Sequence, residues 1–428
     1  MDIDIHLAGG WQPCAEIALR DVAKPHRYGP VTLRYESDYA LRNLHATDLR
    51  AVSVRSAVDL AVHTFAAWPS FLMDLLPQGA ARKRLERASP AGLTDWELLE
   101  RGAANPVGNL RVRLPRASAP RAHVGFALDE MIERGDAFVD YAYEVGAAVA
   151  GCTDTQGEAP KFWVAQDGRG RWHPDDGQLG THVRRYALLK FPVPEAGPRA
   201  VDILRHEAAY QKVARALQVR VTHELPEFIN GALLIPRFDR RVGSAGEIRL
   251  GVESVYSITG VLDSSRTPLR HDEVLIALSK CCTHFAAEVL EYFRRDVLNL
   301  ALGNRDNHGR NTAVLKDTDG SISLSPVFDL GPAYLDARAI VRSIHWDAER
   351  GASIDWSEVL ANLETRFEDA ELEPPDSTRI ADELRAFGKR LATLPGIMRE
   401  CGVDDSIVEA RRDTIDTLTR SLSSVRAP

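Results

Sequence analysis

One stretch late in the chain constrains its fold more than any other feature. It reads Gly303-Asn304-Arg305-Asp306-Asn307-His308-Gly309-Arg310-Asn311, and two β-type segments follow it around the turn Asp317-Thr318-Asp319-Gly320. Short apolar runs on both sides of an Asp/Gly turn predict a β-hairpin. A second acidic residue, Asp329, comes after the hairpin. Because a hairpin returns the chain to its starting end, we expect Asn311 and Asp329 to lie at the same end.

The order of these polar residues indicates chemistry on a phosphate group. An Asp, an Asn five positions later, a hairpin and a second Asp form the order in which protein kinases place their phosphoryl-transfer groups. Asp306, in a loop after a helical segment, could orient an incoming hydroxyl and accept its proton. Asn311 and Asp329 offer the oxygen ligands that Mg²⁺ prefers. Each residue alone is more often a plain turn former, so only their joint spacing carries the prediction.

Residues upstream complete the predicted nucleotide site. Lys190 closes an apolar strand and could reach the phosphates, although a solvated strand end is the alternative. Glu207 lies on an amphipathic helix predicted over 201–217 and could hold that lysine as an ion pair. The segment 234–238 would offer backbone groups to an adenine edge. His308 could brace the loop, contact phosphate or simply pack beside Asp306.

Hydrophobic patterning predicts an α+β fold whose strands come first and whose helices come later. Short β-type segments at 3–7, 15–19 and 31–35 favour an antiparallel meander, and a further strand is predicted over 109–114. After residue 270, helical periodicity dominates and is interrupted only by the hairpin. We therefore expect a small β-rich N-terminal subdomain (1–125), a β-rich N-lobe (126–240) and a mostly α-helical C-lobe (241–428), the two-lobed plan of a kinase.

Composition excludes several other classes of protein. The 428 residues are 44% apolar and 27% charged, which is typical of a globular chain with packed cores. A net charge of −8 argues against coating nucleic acid by charge, so any DNA contact would be local or indirect. Five cysteines without a C-x-x-C pair favour a reducing cytoplasm, and Cys281 and Cys282 are expected to pack as small apolar residues. No signal segment and no membrane span is predicted.

Taken together, these segments resemble the HipA-type serine/threonine kinases of bacterial toxin–antitoxin systems. That family's catalytic loop reads approximately G-x-x-D-x-H-x-K-N and its metal motif Y-D-[VIL], which Gly303 to Asn311 and Phe328-Asp329-Leu330 match. Further matches are the motifs around Leu189-Lys190-Phe191, the run Ile235-Pro236-Arg237-Phe238-Asp239-Arg240, and Phe71 to Pro77 in the N-terminal region.

The resemblance implies ATP and Mg²⁺ as cofactors and assigns a role to each matching residue. Asp306, with His308 beside it, would be catalytic, and Asn311 and Asp329 would bind Mg²⁺. The residues implied in nucleotide binding are Gly157, Lys161, Lys190, Glu207, Ile235, Arg237, Phe238 and Asp239.

This sequence departs from the family pattern at three places. The phosphate loop, roughly G-[GA]-x-Q-[PE]-K in the family, reads Gly157-Glu158-Ala159-Pro160-Lys161 here, which places a glutamate beside the phosphates. In the segment before it, where the family carries a serine that can be autophosphorylated, Thr153 and Thr155 are the only hydroxyl candidates. Arg310 replaces the usual lysine of the catalytic loop and keeps its charge but not its geometry.

The resulting hypothesis is a cytoplasmic protein serine/threonine kinase. The resemblance implies a protein substrate in translation, such as an aminoacyl-tRNA synthetase, and a small helix-turn-helix antitoxin as partner. Two alternatives stay open. The first is a pseudokinase that binds an antitoxin or DNA as a corepressor, which the altered phosphate loop favours. The second is a small-molecule kinase of related fold.

Overall fold

The computed structural model describes residues 1–77, 82, 85–87, 89, 92–103, 105–113, 125–133, 138, 142, 161–175, 182–192, 197–244, 246–351 and 353–428. Its strands are β1 Asp2–Leu7, β2 Gly10–Leu19, β3 Val31–Tyr35, β4 Val62–Phe65, β5 Leu110–Val112, β6 Lys161–Asp167, β7 Trp172–Pro174, β8 Val183–Lys190, β9 Glu227–Ile229, β10 Ala232–Pro236, β11 Arg240–Gly243, β12 Gly246–Arg249, β13 Gly251–Ser254, β14 Leu269–Arg270, β15 Ala313–Lys316, β16 Ile322–Leu324, β17 Ile344–His345, β18 Glu349–Arg350 and β19 Ser353–Ile354.

The helices are α1 Ser37–Asn43, α2 Leu72–Leu75, α3 Asp95–Gly102, α4 Leu128–Ile132, α5 Ala200–Ala216, α6 Val255–Thr259, α7 His271–Cys281, α8 Phe285–Leu302, α9 Trp356–Asp369, α10 Ser377–Leu391, α11 Leu394–Glu400 and α12 Asp405–Ser423. A 3₁₀ turn lies at Ala333–Leu335.

The chain forms two compact units that interleave along the sequence. The first takes Met1–Pro194, Pro226–Leu262 and Leu315–Ser321, and the second takes Glu195–Leu225, Asp263–Val314 and Ile322–Pro428. The three-part division at residues 125 and 240 stays a prediction, because the units are not continuous segments of chain.

The first unit contains two five-stranded antiparallel sheets. The order of one is β4-β3-β2-β1-β5, so the predicted meander is confirmed and the strand at 110–112 joins its edge through β1. Alternate residues such as Ile3, Ile5 and Ile17 face its buried side, as period-2 patterning requires. The second sheet runs β7-β6-β8-β10-β9 and contains both Lys161 and Lys190.

Helices dominate the second unit, and their apolar faces form its core. Helix α8 buries Val289, Phe293, Val297 and Ala301, which recur every four residues along one helical face. The ring of Phe293 stacks on Trp346 with 5.0 Å between centroids. Contrary to the prediction of helices interrupted by one hairpin, the short strands β17, β18 and β19 also lie in this region.

Helix boundaries follow local capping chemistry. The side chain of Asp355 accepts hydrogen bonds from the amides of Ser357 and Glu358 at the start of α9, and Asp376 accepts one from Arg379 at the start of α10. Helix α5 runs over 200–216, within one residue of the predicted helix at each end. Its position matters because it carries Glu207.

Candidate active site

The loop that holds the predicted catalytic residues begins where α8 ends. Gly303 closes that helix with a φ of 72°, a left-handed conformation that glycine adopts without strain. The side chain of Asn304 then bridges the turn. Its Nδ2 donates to Asn299 Oδ1 at 3.0 Å, and its Oδ1 accepts from the Asp306 amide at 3.4 Å. The start of the loop is therefore fixed by its own side chains.

His308 and Asp306 face one another inside this loop. His308 is buried, and its Nδ1 accepts a hydrogen bond from the Arg310 amide at 3.2 Å. An imidazole nitrogen that accepts carries no proton, so the neutral ring holds its proton on Nε2. This Nε2 lies 3.5 Å from Asp306 Oδ1, a long contact that orients the carboxylate. The side chain of Asp306 itself keeps 16% of its surface exposed.

Asn311 closes the loop and presents one unpaired oxygen. Its Nδ2 donates to the Asp306 backbone carbonyl at 2.9 Å, which fixes the orientation of the amide. Its Oδ1 is buried and accepts no hydrogen bond from the part of the chain that the structure describes. A buried oxygen without a partner is rare in folded proteins and is often satisfied by an ion or water. Amide oxygen is a hard ligand, so this atom fits a Mg²⁺ site.

The predicted hairpin is confirmed, and it leads the chain to Asp329. The Ser325 amide donates to the Ala313 carbonyl at 2.8 Å, and at the turn the Asp317 amide donates to the Ser321 carbonyl at 2.9 Å. The segment beyond is tied down, since the Val327 amide donates to the Arg220 carbonyl at 2.8 Å.

Asp329 is half-buried and stands in an unusual backbone conformation. Its φ is 53°, in the left-handed region that a non-glycine residue adopts at a free-energy cost of order 1–3 kcal/mol. Conformations of this kind persist where the surrounding structure holds them, and they cluster at functional sites. The carboxylate is the second predicted oxygen ligand for Mg²⁺.

Helix α5 contacts the end of α8, just before the catalytic loop, and the segment around Asp329. Glu207 is 5% exposed, and its Cβ lies 3.9 Å from the point where a Cβ on Gly331 would stand, two residues after Asp329. One turn further, the Tyr210 hydroxyl donates to the Leu302 carbonyl at 3.0 Å. Gln211 Nε2 donates to the Val327 carbonyl at 3.2 Å. One helix thus touches the start of the catalytic loop and both sides of Asp329.

In the first unit, two lysines face one another across a strand pair. Lys161 opens β6 and Lys190 closes β8, and the antiparallel register makes them direct partners. Directly opposite residues project from the same face of a sheet, with Cβ atoms about 5 Å apart. Both side chains are half-buried. This placement is compatible with the predicted phosphate site, because lysine side chains form charge-assisted hydrogen bonds with phosphate oxygens.

The residues from Ile235 to Arg240, next to the predicted adenine site, contribute through both backbone and side chains. Ile235 pairs with Leu188 inside the second sheet, and Phe238 follows as a half-buried residue just beyond the strand. The Arg237 amide donates to the Tyr186 carbonyl at 3.1 Å, so this group belongs to the sheet.

The side chains of Arg237 and Asp239 form a buried ion network. Arg237 donates to both Asp239 oxygens at 2.8 and 2.6 Å and to Asp175 at 3.1 Å, and it stacks 3.9 Å above the Trp163 ring. Burial opposes the charge on Asp239, but Arg237 and Arg240 outweigh it and hold the pKa of that carboxyl far below its usual range. These two side chains therefore have a structural role, as buried ion-pair partners beside the predicted adenine site.

A family model described as the HipA-like C-terminal domain matches residues 153–390. The chain belongs to this family. The protein Y4mE of Sinorhizobium fredii, which is named as a proposed kinase, is 26% identical over 164 residues. That match covers 37% of this chain, and the chain spans 37% of the length of this curated relative.

The fold of this HipA-like chain is also that of a solved structure. A chain from the Shewanella oneidensis MR-1 toxin–antitoxin complex of HipA, HipB and operator DNA superposes with a TM-score of 0.67 at 16% identity. The similarity covers 99% of this chain and 97% of that one. The predicted α+β, two-lobed HipA-like fold is therefore confirmed.

Several residues that fix the backbone around this site were not predicted from the sequence. Tyr210 and Gln211 lie on the face of α5 that carries Glu207, so their spacing from that glutamate was the available signal. Asn307 also went unnoticed. Its Oδ1 accepts from the Ser343 amide at 2.8 Å, and its Nδ2 donates to the Ile344 carbonyl at 2.9 Å. This side chain fixes the middle of the catalytic loop.

Some predicted residues lie outside the described part of the chain. These are Gly157, with most of the phosphate loop, and the two threonines Thr153 and Thr155. Lys161 is the first described residue after them. Of the two cysteines expected to pack as apolar residues, Cys282 is buried and Cys281 is half-buried. In the described ranges no group of three or more His, Cys, Asp or Glu side chains could hold a metal ion. None of the described helices has the length and apolar character needed to span a bilayer.

Proposed function

We propose that this chain is an ATP- and Mg²⁺-dependent protein serine/threonine kinase. The observation that carries the proposal is the loop around Asp306. His308 contacts its carboxylate, which stays partly exposed, and Asn311 binds its backbone carbonyl while keeping one buried amide oxygen that has no partner in the described part of the chain. A carboxylate base, a histidine beside it and a hard oxygen ligand suit phosphoryl transfer to a hydroxyl.

Asp306 would act on the substrate hydroxyl. The carboxylate accepts the hydroxyl proton as the oxygen attacks the γ-phosphorus, while the bond between that phosphorus and the β-phosphate oxygen breaks. The products are a phosphorylated serine or threonine and ADP. The Nε2 proton of His308 keeps the accepting carboxylate oxygen in place.

Asn311 and Asp329 would hold the magnesium ion. Bound Mg²⁺ neutralises charge on the phosphates. The amide of Asn311 is already oriented by its bond to the Asp306 carbonyl, so metal binding and the catalytic carboxylate share one rigid loop. Lys161 and Lys190 would bind phosphate oxygens through charge-assisted hydrogen bonds.

The proposed partners follow from the HipA-like relatives. The Shewanella protein is found in a complex with HipB and operator DNA. We propose a small helix-turn-helix antitoxin as the corresponding partner here, with only indirect or local DNA contact. A protein of the translation apparatus, such as an aminoacyl-tRNA synthetase, is the proposed substrate.

The test compares purified full-length variants with radiolabelled ATP and a cell lysate. The wild-type chain should label a protein in a Mg²⁺-dependent manner, and Asp306→Asn should lower the rate by about 10²-fold or more. Asp319→Asn, in the exposed hairpin turn, is the matched control and should keep the wild-type rate. Equal labelling by both variants contradicts the proposed role of Asp306.

A pseudokinase is the second candidate, and the Gly157-to-Lys161 sequence favours it, because Glu158 would lie beside phosphate. Calorimetry with Mg-ATP separates the two functions. A chain that binds nucleotide and turns it over is a kinase, whereas one that shows neither property acts through its partners.

A further inference from the structure

Arg411, on the C-terminal helix α12, binds the end of the helix that leads into the catalytic loop. Its Nε donates to the Ala301 carbonyl at 3.0 Å, and its Nη2 donates to the Leu300 carbonyl at 2.7 Å. These carbonyls belong to the last turn of α8, where the regular helical amide partners run out. Leu300 O keeps one long bond from the Gly303 amide at 3.3 Å. A cation at this end of a helix also interacts favourably with the helix dipole.

The same guanidinium lies against the turn that starts the loop. A Cβ on Gly303 would stand 3.1 Å from Arg411 Cζ and 2.7 Å from a ring carbon of Tyr334. Arg411 also lies over the Tyr334 ring, 5.4 Å from its centroid. Tyr334 follows Asp329 closely in sequence, within the 3₁₀ turn. Arg411 therefore touches the segment before Asp306 and the segment after Asp329.

We infer that Arg411 is a positioning residue that fixes the catalytic loop against the segment of the metal motif. This inference rests on the proposed function and extends it to α12. Nε and Nη2 of Arg411 bind backbone carbonyls of α8, so we assign it a role through that helix and not a contact with substrate. Its effect would act through Gly303 on the placement of the Asp306 carboxylate and the Asn311 oxygen. A small displacement of such groups lowers turnover more than it lowers nucleotide affinity.

The neighbouring Arg412 provides a matched control. It is exposed on the same helix and pairs with Glu409 at 2.8 Å. Arg411→Met and Arg412→Met remove the same charge and keep a similar apolar stem, but only the first removes the two bonds to α8.

The experiment measures three quantities on Arg411→Met, Arg411→Lys and Arg412→Met: kcat, the Kd for Mg-ATP, and hydrogen exchange of amides 300–311. We expect Arg411→Met to lower kcat at least tenfold, to leave Kd within twofold, and to speed exchange in that segment. Arg411→Lys, which keeps one donor and the charge, should recover part of kcat. Arg412→Met should match wild type in all three.

The outcomes separate this inference from the proposed kinase activity. If the wild-type chain shows no turnover, the proposed function fails, and hydrogen exchange alone decides the role of Arg411. Unchanged exchange in Arg411→Met overturns the inference whatever the activity. A kcat within threefold of wild type overturns it too, as does a loss of kcat that Arg411→Lys does not recover at all.

Discussion

Lys161 and Lys190 are direct cross-strand partners in the second sheet of the first unit. Two positive charges placed opposite one another on a sheet destabilise it unless negative charge lies nearby. This register places two cationic side chains, from the beginning of β6 and the end of β8, on one face of the sheet. Their joint binding of phosphate is therefore the prediction to test.

We predict that removing either lysine weakens nucleotide binding. Lys161→Met and Lys190→Met should each raise the Kd for Mg-ATP by about 10- to 100-fold, because charge-assisted hydrogen bonds contribute about 1.5–3 kcal/mol. The double variant should lose less than the sum, since both groups would bind the same phosphates. Calorimetric titration measures this, with exposed Lys280→Met as control. Wild-type affinity in both single variants contradicts the assignment.

Asn311 should control the magnesium dependence of the chain. Asn311→Ala removes the buried oxygen and also the bond to the Asp306 carbonyl. We expect the Mg²⁺ concentration for half-maximal turnover to rise about tenfold or more, together with a lower kcat. Asn311→Asp keeps an oxygen ligand and should bind metal better than Asn311→Ala. Identical magnesium curves for the two variants would argue against metal binding by this side chain.

His308 should affect turnover rather than nucleotide affinity. His308→Ala removes the Nε2 contact to Asp306 and the acceptor of the Arg310 amide. Loss of a group that orients a catalytic base typically lowers kcat by about 10- to 100-fold. The KM for ATP should stay within about threefold of wild type, and steady-state kinetics measure both constants. A raised KM with unchanged kcat would instead assign His308 to phosphate binding.

Stability should fall in mild acid because of His271. Burial lowers the pKa of this imidazole to about 4, against an ordinary 6.5, although Asp296 lies 3.5 Å away and favours the charged form. Between these values the unfolded chain binds the extra proton, so the free energy of unfolding decreases as pH falls. The loss from this group between pH 7.5 and pH 5 is about 2 kcal/mol.

The matched variant isolates that group from its neighbours. Burial raises the pKa of the Asp272 carboxyl to about 6. Its contribution to the free energy of unfolding is therefore present in acid and is lost as pH rises, opposite to that of His271. Denaturant unfolding of wild type and His271→Gln is measured at both pH values. Because both proteins contain Asp272, its contribution cancels in the comparison. His271→Gln should lose less stability on acidification, and equal losses would exclude His271 as the cause.

Asp239 should stabilise the first unit strongly above its own low pKa. Asp239→Asn leaves the buried Arg237 and Arg240 without their main negative partner, and breaking a buried ion pair in this way costs about 3–5 kcal/mol. Chemical denaturation measures the loss. The contribution exists above the ordinary carboxyl pKa and disappears only in strong acid, so Asp239→Asn should be as unstable at pH 5 as at pH 7.5 relative to wild type. A loss below 1 kcal/mol would contradict this role.

The local structure of the site was predictable from short segments. Turn residues at 317–320, apolar runs beside them and a glycine after α8 determine a helix, a loop and a hairpin through contacts between near neighbours in sequence. The meander of the first sheet followed from period-2 patterning in the same way. Such features depend on backbone geometry and hydrogen bonds within a few residues.

The sequence by itself determined which residue types stand around the hairpin and in what order, and hence the prediction of Asp306, Asn311 and Asp329 as one set. The tertiary structure alone decided which distant groups support them: the bonds of Tyr210 and Arg411 to the end of α8, and the register that pairs Lys161 with Lys190. Contacts of this kind join residues far apart in the chain. They arise from packing and strand register, which no local pattern of residues specifies.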